Sequence, residues 1–363
     1  MLIRLNGRMN FDSLLMFAND ELTDFYIYKG NQQNRVGQSD MTNSKLFSTA
    51  ALFFLTSSGA SFAAQTWDMP TAYPATNFQT LNAADFAACV ATGTKGEINI
   101  VLHPNGSLFK GNDIKRAVQT GQAQIGERLL SAHENENAVF GTDSVPFLAT
   151  TYEASIKLNA AAKSEIESAL NGQGLKSLYS VPWPPNGLYF NKEVNSVADM
   201  KGIKVRSYNK ATAKIAEGVG MVPVSIEAAE ISQAMAAGVI SSLITSSVTG
   251  KDTKVWEQLN HYYLANAWLP RNTVIVNKAA FEALPKDNQA ALLDCAAKAE
   301  VAGIEKSKAA DAEAMKILAD NGVEVIVPNA AMKAELAKIG EAIAKDWAAK
   351  GGAGAAGILA KYK

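Results

Sequence analysis

Arg206 is the residue whose type and position most directly suggest chemistry. It ends a strand-like segment, 202–206, in which apolar Ile203 and Val205 alternate with basic residues. In α/β folds, ligands bind beyond the carboxyl ends of strands, and a guanidinium there can hold a carboxylate through two parallel hydrogen bonds. A surface arginine in an exposed salt bridge, worth at most about 1 kcal/mol, fits the same pattern. The strand alone leaves both interpretations open.

The common motifs of catalysis and cofactor binding are absent from the sequence. It contains no GxSxG nucleophile elbow and no GxxxxGK[ST] phosphate loop. Its histidines, His103, His133 and His261, lie far apart and lack the HExxH spacing of a zinc site. The acidic pair Glu134 and Glu136 lies in a polar segment, where we expect a solvated surface. We therefore expect no enzyme, no metal and no cofactor, although a hydrolase with a triad from distant residues stays open.

The composition is that of a globular protein with balanced charge. Of 363 residues, 48% are hydrophobic and 19% charged, and 34 basic residues balance 35 acidic ones. This balance lacks the basic surplus of a nucleic-acid-binding protein. Cys89 and Cys295 each lie in an alanine-rich helical pattern. Such positions suit small buried thiols, so we expect two free cysteines rather than a disulfide.

Residues 41–63 have the pattern of a secretory signal peptide. Lys45 supplies a short basic start, an apolar run covers 46–55, and small residues precede a predicted cleavage after Ala63. The run is shorter than the ~20 apolar residues that span a membrane. Because export signals begin at the N-terminus, we expect 1–40 to reflect an early start assignment, with Met41 as the true start; a disordered extension is the alternative. The sequence thus predicts an exported, periplasmic protein that does not itself span the membrane.

Strand-like and helix-like segments alternate along the exported part. Residues 286–321 form a helix longer than the usual 8–20 residues, long enough to bridge two lobes. Another helix follows from Asn329, and we expect the glycine-rich segment 351–357 to be a loose tail. Repeated βα units imply an α/β fold with mostly parallel sheets. Alternation and helical spacing predict strands at 97–103, 188–190, 202–206, 239–245, 274–277 and 323–327, and helices at 78–90, 152–170, 211–219 and 227–237.

Residues 196–247 resemble the DctP-type solute-binding proteins of TRAP (tripartite ATP-independent periplasmic) transporters. Members carry a DLKGLKIR strand, a helix reading E-V-x-x-A-L-x-x-G and a G-V-x-D-G strand. This chain has DMKGIKVR at 199–206, EISQAMAAG at 230–238 and VISSLIT at 239–245. Weaker matches, such as SVPFL at 144–148, extend the resemblance along the exported chain. Each motif alone is weak, but together their order and spacing are specific.

The resemblance implies a two-lobed, periplasmic-binding-protein-like α/β fold, with hinge strands and the long helix joining the lobes. We expect lobe one to comprise 64–184 and 272–311, and lobe two 185–271 and 312–363. The implied function is capture of an organic acid and its delivery to TRAP membrane subunits for uptake driven by an ion gradient. A sensor subunit that feeds a receptor is the alternative within binding proteins.

The resemblance also assigns roles at the site. In the family the arginine at the position of Arg206 clamps the ligand's carboxylate. Sugar-acid-binding members place a second arginine where this chain has Asn186, and the family's DG is replaced here by two serines. Asn186, Thr245 and Ser246 are therefore expected to donate hydrogen bonds in a pocket that has lost a positive charge and gained hydroxyls.

Aromatic residues complete the predicted pocket. Tyr73, Trp183 and Trp268 lie in predicted loops beside the cleft and are expected to pack against the ligand's body. The predicted ligand is therefore a monocarboxylate with an apolar or aromatic body. Glu127, in a predicted Ile-Gly-Glu loop, is expected either to line the lobe-one wall and bind a ligand hydroxyl or amine, or to be a solvated loop carboxylate.

Overall fold

The computed structural model describes residues 64–363. The predicted start at Met41, the signal peptide and the cleavage after Ala63 fall outside these residues. Most predicted elements are present, with shifted ends. The helices are α1 (Phe78–Gly93), α2 (Ile114–Gln119), α3 (Tyr152–Asn171), α4 (Lys210–Gly218), α5 (Ile231–Ala236), α6 (Ser247–Asp252), α7 (Lys278–Glu282), α8 (Lys286–Asp320) and α9 (Ala330–Tyr362).

Eleven strands of the described part form three sheets. One sheet pairs β1 with β2, the second has the order β3-β10-β4, and the third has the order β11-β9-β5-β8-β6-β7. The strands are β1 (Gln65–Pro70), β2 (Ile98–His103), β3 (Ile125–Leu129), β4 (Leu175–Pro182), β5 (Gly187–Phe190), β6 (Lys204–Ser207), β7 (Val222–Ser225), β8 (Ser242–Thr245), β9 (His261–Tyr263), β10 (Arg271–Asn277) and β11 (Glu324–Ile326).

The prediction of mostly parallel sheets is wrong. Strand β10 runs antiparallel to both β3 and β4, and β5 runs antiparallel to both β8 and β9. All other strand pairs in the described part are parallel. Both β5 and β10 follow a point where the chain crosses from one group of sheets to the other. Alternating βα patterns indicate that strands exist but do not reveal the direction of a strand that follows such a crossing.

The two crossings define two lobes and the hinge between them. We call the part with β1–β4 and β10 the first lobe, and the part with the six-stranded sheet the second lobe. The crossing segments are hydrogen-bonded to each other: the Trp183 N–H donates to Pro270 O at 2.7 Å, and the Asn186 N–H donates to Trp268 O at 2.9 Å. Hinges between lobes are formed by a few element-terminal residues of this kind.

Both long helices contact both lobes. Helix α8 buries Leu292 and Ala296 in the first lobe's core and Leu318 against the six-stranded sheet. In α9, Leu336 packs on the six-stranded sheet, whereas Ile358 packs against α3. The described chain contains no helix that is both long and apolar enough to cross a membrane.

The glycine-rich segment 351–357 is helical, so the prediction of a loose tail is wrong. It belongs to α9, which is interrupted only at Gly352, where φ is 50°. Trp347 and Ala355, on either side of the interruption, are buried against Val145. Small residues allow this close packing, because a Cβ on Gly351 would lie 2.5 Å from the Cβ of Ala355. Low complexity therefore reflects tight packing here and not a lack of structure.

Cys89 and Cys295 form a disulfide between α1 and α8. The expectation of two free thiols is wrong. Helical patterning predicts that each cysteine is buried, but not that α1 and α8 lie against each other. Their packing brings the two Cα atoms to 5.8 Å, within the usual range for a disulfide.

Candidate functional site: a cleft between the lobes

The carboxyl ends of β6, β7 and β8 meet at one edge of the six-stranded sheet. Strand β6 is parallel to both neighbours, with Arg206 opposite Val224 of β7 and next to Leu243 of β8. Parallel strands end at the same edge, and α/β folds bind ligands beyond it. The side chains that follow β6 and β8 therefore converge on the space between the lobes.

A cavity of about 330 Å³ lies at this edge. Six of the eight predicted site residues line it, and residues that sequence reasoning missed complete its wall. The predicted residues are Tyr73, Trp183, Asn186, Arg206, Thr245 and Ser246, and the others are Leu129, Tyr208, Ala228, Thr249 and Pro270.

Arg206 lies in this cavity with most of its hydrogen-bonding capacity unused. It is 5% exposed, and its Nε donates to Ile226 O at 2.9 Å. Its guanidinium stacks on the ring of Tyr208, 4.8 Å from the ring centroid. Burial lowers the pKa of Arg206 to about 10, so the group stays charged at neutral pH. Within residues 64–363 no carboxylate forms an ion pair with it, and a buried unpaired charge is costly unless a ligand compensates it.

Tyr208 joins Arg206 to Asn186 and Trp268. Its hydroxyl donates to Asn186 Oδ1 at 2.9 Å and accepts from Trp268 Nε1 at 2.9 Å. Trp268 is 1% exposed and lies behind Tyr208 in the second lobe's core, away from the cavity surface. The same alternation that identified Arg206 places Tyr208 two residues further on the same face, a signal that was available in the sequence.

Trp183 and Tyr73 form the aromatic wall on the first lobe's side. Their ring centroids are 4.7 Å apart in an edge-on arrangement. Trp183 Nε1 donates to Asn272 Oδ1 at 2.8 Å, and Asn272 Nδ2 in turn donates to Glu127 Oε1. Glu127 therefore lies behind the wall and is connected to it through Asn272.

Glu127 is neither in a loop nor solvated. It lies in β3, every residue of which is buried, and is itself 2% exposed. Its Oε2 is buried and has no hydrogen-bond partner within the described residues. Burial raises the pKa of Glu127 to about 7, against the opposing effects of the hydrogen bond from Asn272 and the charge of Arg128. A strand buried on both faces lacks the alternation by which such positions are recognised.

Arg128 is a second arginine in the cleft, and no pattern in the sequence predicts it. It lines an adjoining cavity of about 380 Å³ that also contains Tyr73, Arg206 and Tyr208. Its guanidinium is 6% exposed, donates from Nε to His133 Nε2 at 3.2 Å, and donates from Nη2 to Asn112 Oδ1. The expected loss of positive charge at Asn186 is therefore offset by an arginine from the opposite lobe.

The acidic segment near His133 supports Arg128. Glu136 accepts from His133 Nδ1 at 3.0 Å and forms an ion pair with buried Lys115. Glu134 is ion-paired with Lys210 of the second lobe at 3.0 Å. The prediction of a solvated surface is wrong for Glu134, whose side chain is largely buried against Lys210, whereas Glu136 is exposed as predicted and also pairs with buried Lys115.

Contacts across the cleft rim hold the two lobes together. The Asn112 N–H of the first lobe donates to Glu227 Oε1 of the second at 3.1 Å. On a second side of the rim, Asn77 Nδ2 donates to Asp252 Oδ2 at 2.7 Å. Gly111 makes the first contact possible, because a Cβ there would lie 2.9 Å from Glu227 Oε2. The lobes are therefore closed over the cavity.

A larger cavity of about 740 Å³ is lined by none of the residues of the two cleft cavities. It contains a third buried arginine, Arg271, which donates to Ser180 Oγ and Ser180 O at 2.9 and 2.8 Å, and to Ser155 Oγ at 3.3 Å. Because this guanidinium already has three hydrogen bonds to protein acceptors and an ion pair with Glu300 at 3.8 Å, the smaller cleft cavity is the better candidate for a ligand. Nowhere in residues 64–363 do three or more His, Cys, Asp or Glu side chains group as metal ligands would.

Comparison with known proteins identifies the class of protein. Residues 70–350 match the family Bacterial extracellular solute-binding protein, family 7, also called DctP. The chain belongs to this family, and the resemblance seen in the sequence is confirmed. Family members are solute-binding receptors of TRAP transporters, so the prediction that the chain is not an enzyme is confirmed and the hydrolase alternative is wrong.

Solved structures of similar proteins share the two-lobed fold, which confirms the predicted fold class. A TRAP solute-binding protein from a marine metagenome, solved with co-purified pyroglutamate, is 50% identical with a TM-score of 0.82, covering 83% of this chain and 99% of that one. DctP6 of Bordetella pertussis, a receptor that binds pyroglutamic acid, is 46% identical with a TM-score of 0.81, covering 82% and 99%. DctP7 of the same organism, also a pyroglutamic acid receptor, is 39% identical with a TM-score of 0.81 and the same coverage.

Proposed function

We propose that this protein captures pyroglutamate as the solute-binding subunit of a TRAP transporter. The observation that carries the proposal is Arg206, a buried and charged guanidinium that faces the cleft cavity and is not ion-paired to a carboxylate of the described chain. Such a group is complementary to a single carboxylate. Three similar receptors of 39–50% identity bind pyroglutamate, which supports this compound as the acid.

The remaining cavity groups suit the rest of that ligand. Pyroglutamate is a monocarboxylate whose five-membered lactam ring carries one N–H, one carbonyl and two methylene groups. Tyr73 and Trp183 offer aromatic surface for the methylene edge. Thr245, Ser246 and Asn186 offer hydroxyl and amide groups for the polar atoms of the ring and the carboxylate. Small-ligand sites combine an apolar wall and few polar groups in this way.

We propose that this capture takes place in the periplasm. Signal-peptide cleavage after Ala63 releases the protein into the periplasm, and the closed form delivers the acid to TRAP membrane subunits. The lobes are 64–184 with 272–311, and 185–271 with 312–363, the two long helices crossing between them. Family membership supports this setting, and the hydrogen-bonded crossing segments at 183–186 and 267–270 support the hinge.

The proposal is tested by calorimetric titration of the purified protein with pyroglutamate, after unfolding and refolding to remove any co-purified ligand. We expect saturable binding at one site, and stabilisation by about 2.7 kcal/mol at a hundredfold excess over Kd. Arg206→Ala should weaken binding by 30-fold or more, since truncating one partner of a buried charge pair costs roughly 2–5 kcal/mol.

The matched control is Arg116→Gln, which removes the same charge from an exposed position on α2 and should leave Kd unchanged. Succinate, titrated in parallel, tests the preference for one carboxylate. If succinate binds and pyroglutamate does not, the proposed ligand is wrong. If the Arg206→Ala variant binds pyroglutamate as tightly as the wild type, the role of Arg206 is wrong.

A further inference from the structure

We propose that Arg128 recognises the ring carbonyl of the ligand from the first lobe while Arg206 holds its carboxylate from the second. This inference rests on the proposed function, because it assigns the second oxygen-bearing group of pyroglutamate. It makes Arg128 a specificity-determining residue that requires an acceptor on the ring in addition to the carboxylate.

The position of Arg128 supports a direct contact. It extends from β3, on the opposite side of the cleft from β6, and lines a cavity shared with Arg206, Tyr73 and Tyr208. Two of its nitrogens are engaged, Nε by His133 and Nη2 by Asn112. Nη1 has no acceptor within residues 64–363, although the side chain is 6% exposed. An unpaired donor on a buried guanidinium is costly without a ligand.

The cleft therefore offers two guanidinium groups, one from each lobe, each with unpaired N–H groups. Pyroglutamate has two acceptor groups, the carboxylate and the lactam carbonyl. Glu227, Glu127 and Asp113 all lie close enough to Arg128 to favour its charged form, whereas Glu227 alone of these three acts in this way on Arg206. Because three carboxyl groups partly balance Arg128, that arginine suits a neutral polarised carbonyl, and a ligand carboxylate there would be repelled by them.

A hydrogen-bond network orients Arg128. Neutral His133 accepts from Arg128 Nε and donates from Nδ1 to Glu136, which in turn is ion-paired with buried Lys115. Burial and the neighbouring positive charges lower the pKa of His133 to about 4, so the ring stays an acceptor at neutral pH. With one edge fixed by His133 and another by Asn112, the guanidinium presents Nη1 in a single direction. His133 is thus a positioning residue.

The test compares three ligands that share a five-membered ring and a carboxylate. Pyroglutamate has the ring carbonyl and N–H, 3-oxocyclopentanecarboxylate keeps the carbonyl but replaces N–H by methylene, and cyclopentanecarboxylate has neither. Each is titrated calorimetrically into the wild type, Arg128→Gln and the control Arg116→Gln, with weak binders measured by competition. We expect Arg128→Gln to weaken binding of the two carbonyl ligands by about 10- to 100-fold and that of cyclopentanecarboxylate by less than threefold.

His133→Ala provides a second variant that retains the arginine. It should weaken binding of the two carbonyl ligands by about 3- to 10-fold, a smaller loss of affinity than in Arg128→Gln, and leave the binding of cyclopentanecarboxylate unchanged. A merely structural role of Arg128 predicts equal losses for all three ligands, and that result would overturn the assignment while leaving pyroglutamate as the ligand. If the wild type binds none of the three, the proposed ligand is wrong and the assignment of Arg128 to its carbonyl is overturned with it.

Discussion

Two regions of the molecule bury arginines to the same depth but use them differently. In the cleft, Arg206 and Arg128 are 5% and 6% exposed, and each keeps donors that no residue of the described chain accepts. Beside the larger cavity, Arg271 is 4% exposed, and its guanidinium donates to Ser155 and twice to Ser180. Burial alone therefore does not mark a binding site in this fold.

The difference separates a site from a structural support. Removing a guanidinium from water is costly, and hydrogen bonds within the protein repay that cost at Arg271. At Arg206 and Arg128 the cost is repaid only in part until a ligand supplies the missing acceptors. Functional sites commonly lower the stability of the free protein in this manner. The two regions should consequently respond in opposite ways to the same substitution.

The largest expected effect is on stability at Arg271. Arg271→Met should lower the free energy of unfolding by about 4 kcal/mol, because three hydrogen bonds to a charged group contribute roughly 1.5–3 kcal/mol each before the site relaxes. The affinity for pyroglutamate should change less than threefold. Arg206→Met should not destabilise the free protein, since it removes a poorly compensated charge, but it should abolish binding. Urea unfolding and calorimetric titration of both variants check this.

If the two methionine variants lose stability equally, the unpaired state of Arg206 has no energetic consequence and the distinction between the regions fails. If Arg271→Met weakens ligand binding as strongly as Arg206→Met, the larger cavity is coupled to the cleft. A Thr273→Val variant, which changes the lining of the larger cavity without removing a charge, serves as the control for packing.

Removal of the disulfide, which lies outside both arginine regions, has the next largest expected effect on stability. The disulfide between Cys89 and Cys295 closes a segment with a sequence separation of 206 residues. Replacing both cysteines by alanine should lower the free energy of unfolding by about 2–4 kcal/mol, because the unfolded chain regains entropy. Ligand affinity should be unchanged, since the α1–α8 contact lies outside the cleft cavities.

Thermal unfolding of the double alanine variant, with and without saturating ligand, measures both quantities. Reducing the wild-type protein with dithiothreitol should reproduce the loss of stability, which controls for packing changes at the two alanines. An unchanged midpoint under both treatments would show that α1 and α8 are held by their apolar contacts alone.

The sequence predicted one side of the cleft better than the other, for a physical reason. The second lobe's strand β6 is open to the cleft on one face, so alternation identifies Arg206 and extends to Tyr208. The first lobe's strand β3 is buried at every position. In a single sequence, Glu127 and Arg128 of this strand cannot be distinguished from charged residues that face water.

Helix starts were predictable because they depend on neighbouring residues. Asn77, Thr151 and Asn329 each cap a helix by accepting a backbone N–H two or three residues further on. The disulfide, the antiparallel strands and the helical C-terminal segment depend on contacts between distant parts of the chain. No local pattern encodes those contacts, so they required the structure.

The smallest expected effect distinguishes the buried carboxyl groups of the two regions. Glu127, behind the cleft wall, and Asp143, beside Arg271, both have a pKa of about 7, raised by burial. A carboxyl whose folded pKa exceeds its unfolded value binds a proton more tightly when folded. Its contribution to stability is therefore complete below pH 4.5 and is lost as the pH rises to about 7. For Glu127 the difference corresponds to at most about 3 kcal/mol.

Glu127→Gln mimics the protonated group, so it should match the wild type at pH 4.5 and be more stable at pH 8. Asp143→Asn should gain at least as much at high pH, because the pKa of Asp143 rises to the same value from a lower ordinary one, even though its carboxylate accepts from the backbone N–H of Arg271 and from Ser144 Oγ at 2.8 and 2.9 Å. Thermal unfolding of the ligand-free proteins across this pH range measures the difference. If the stability of the wild type and of Glu127→Gln changes in parallel with pH, Glu127 titrates normally. The two arginines would then be the only uncompensated charges that the described chain places in the cleft region.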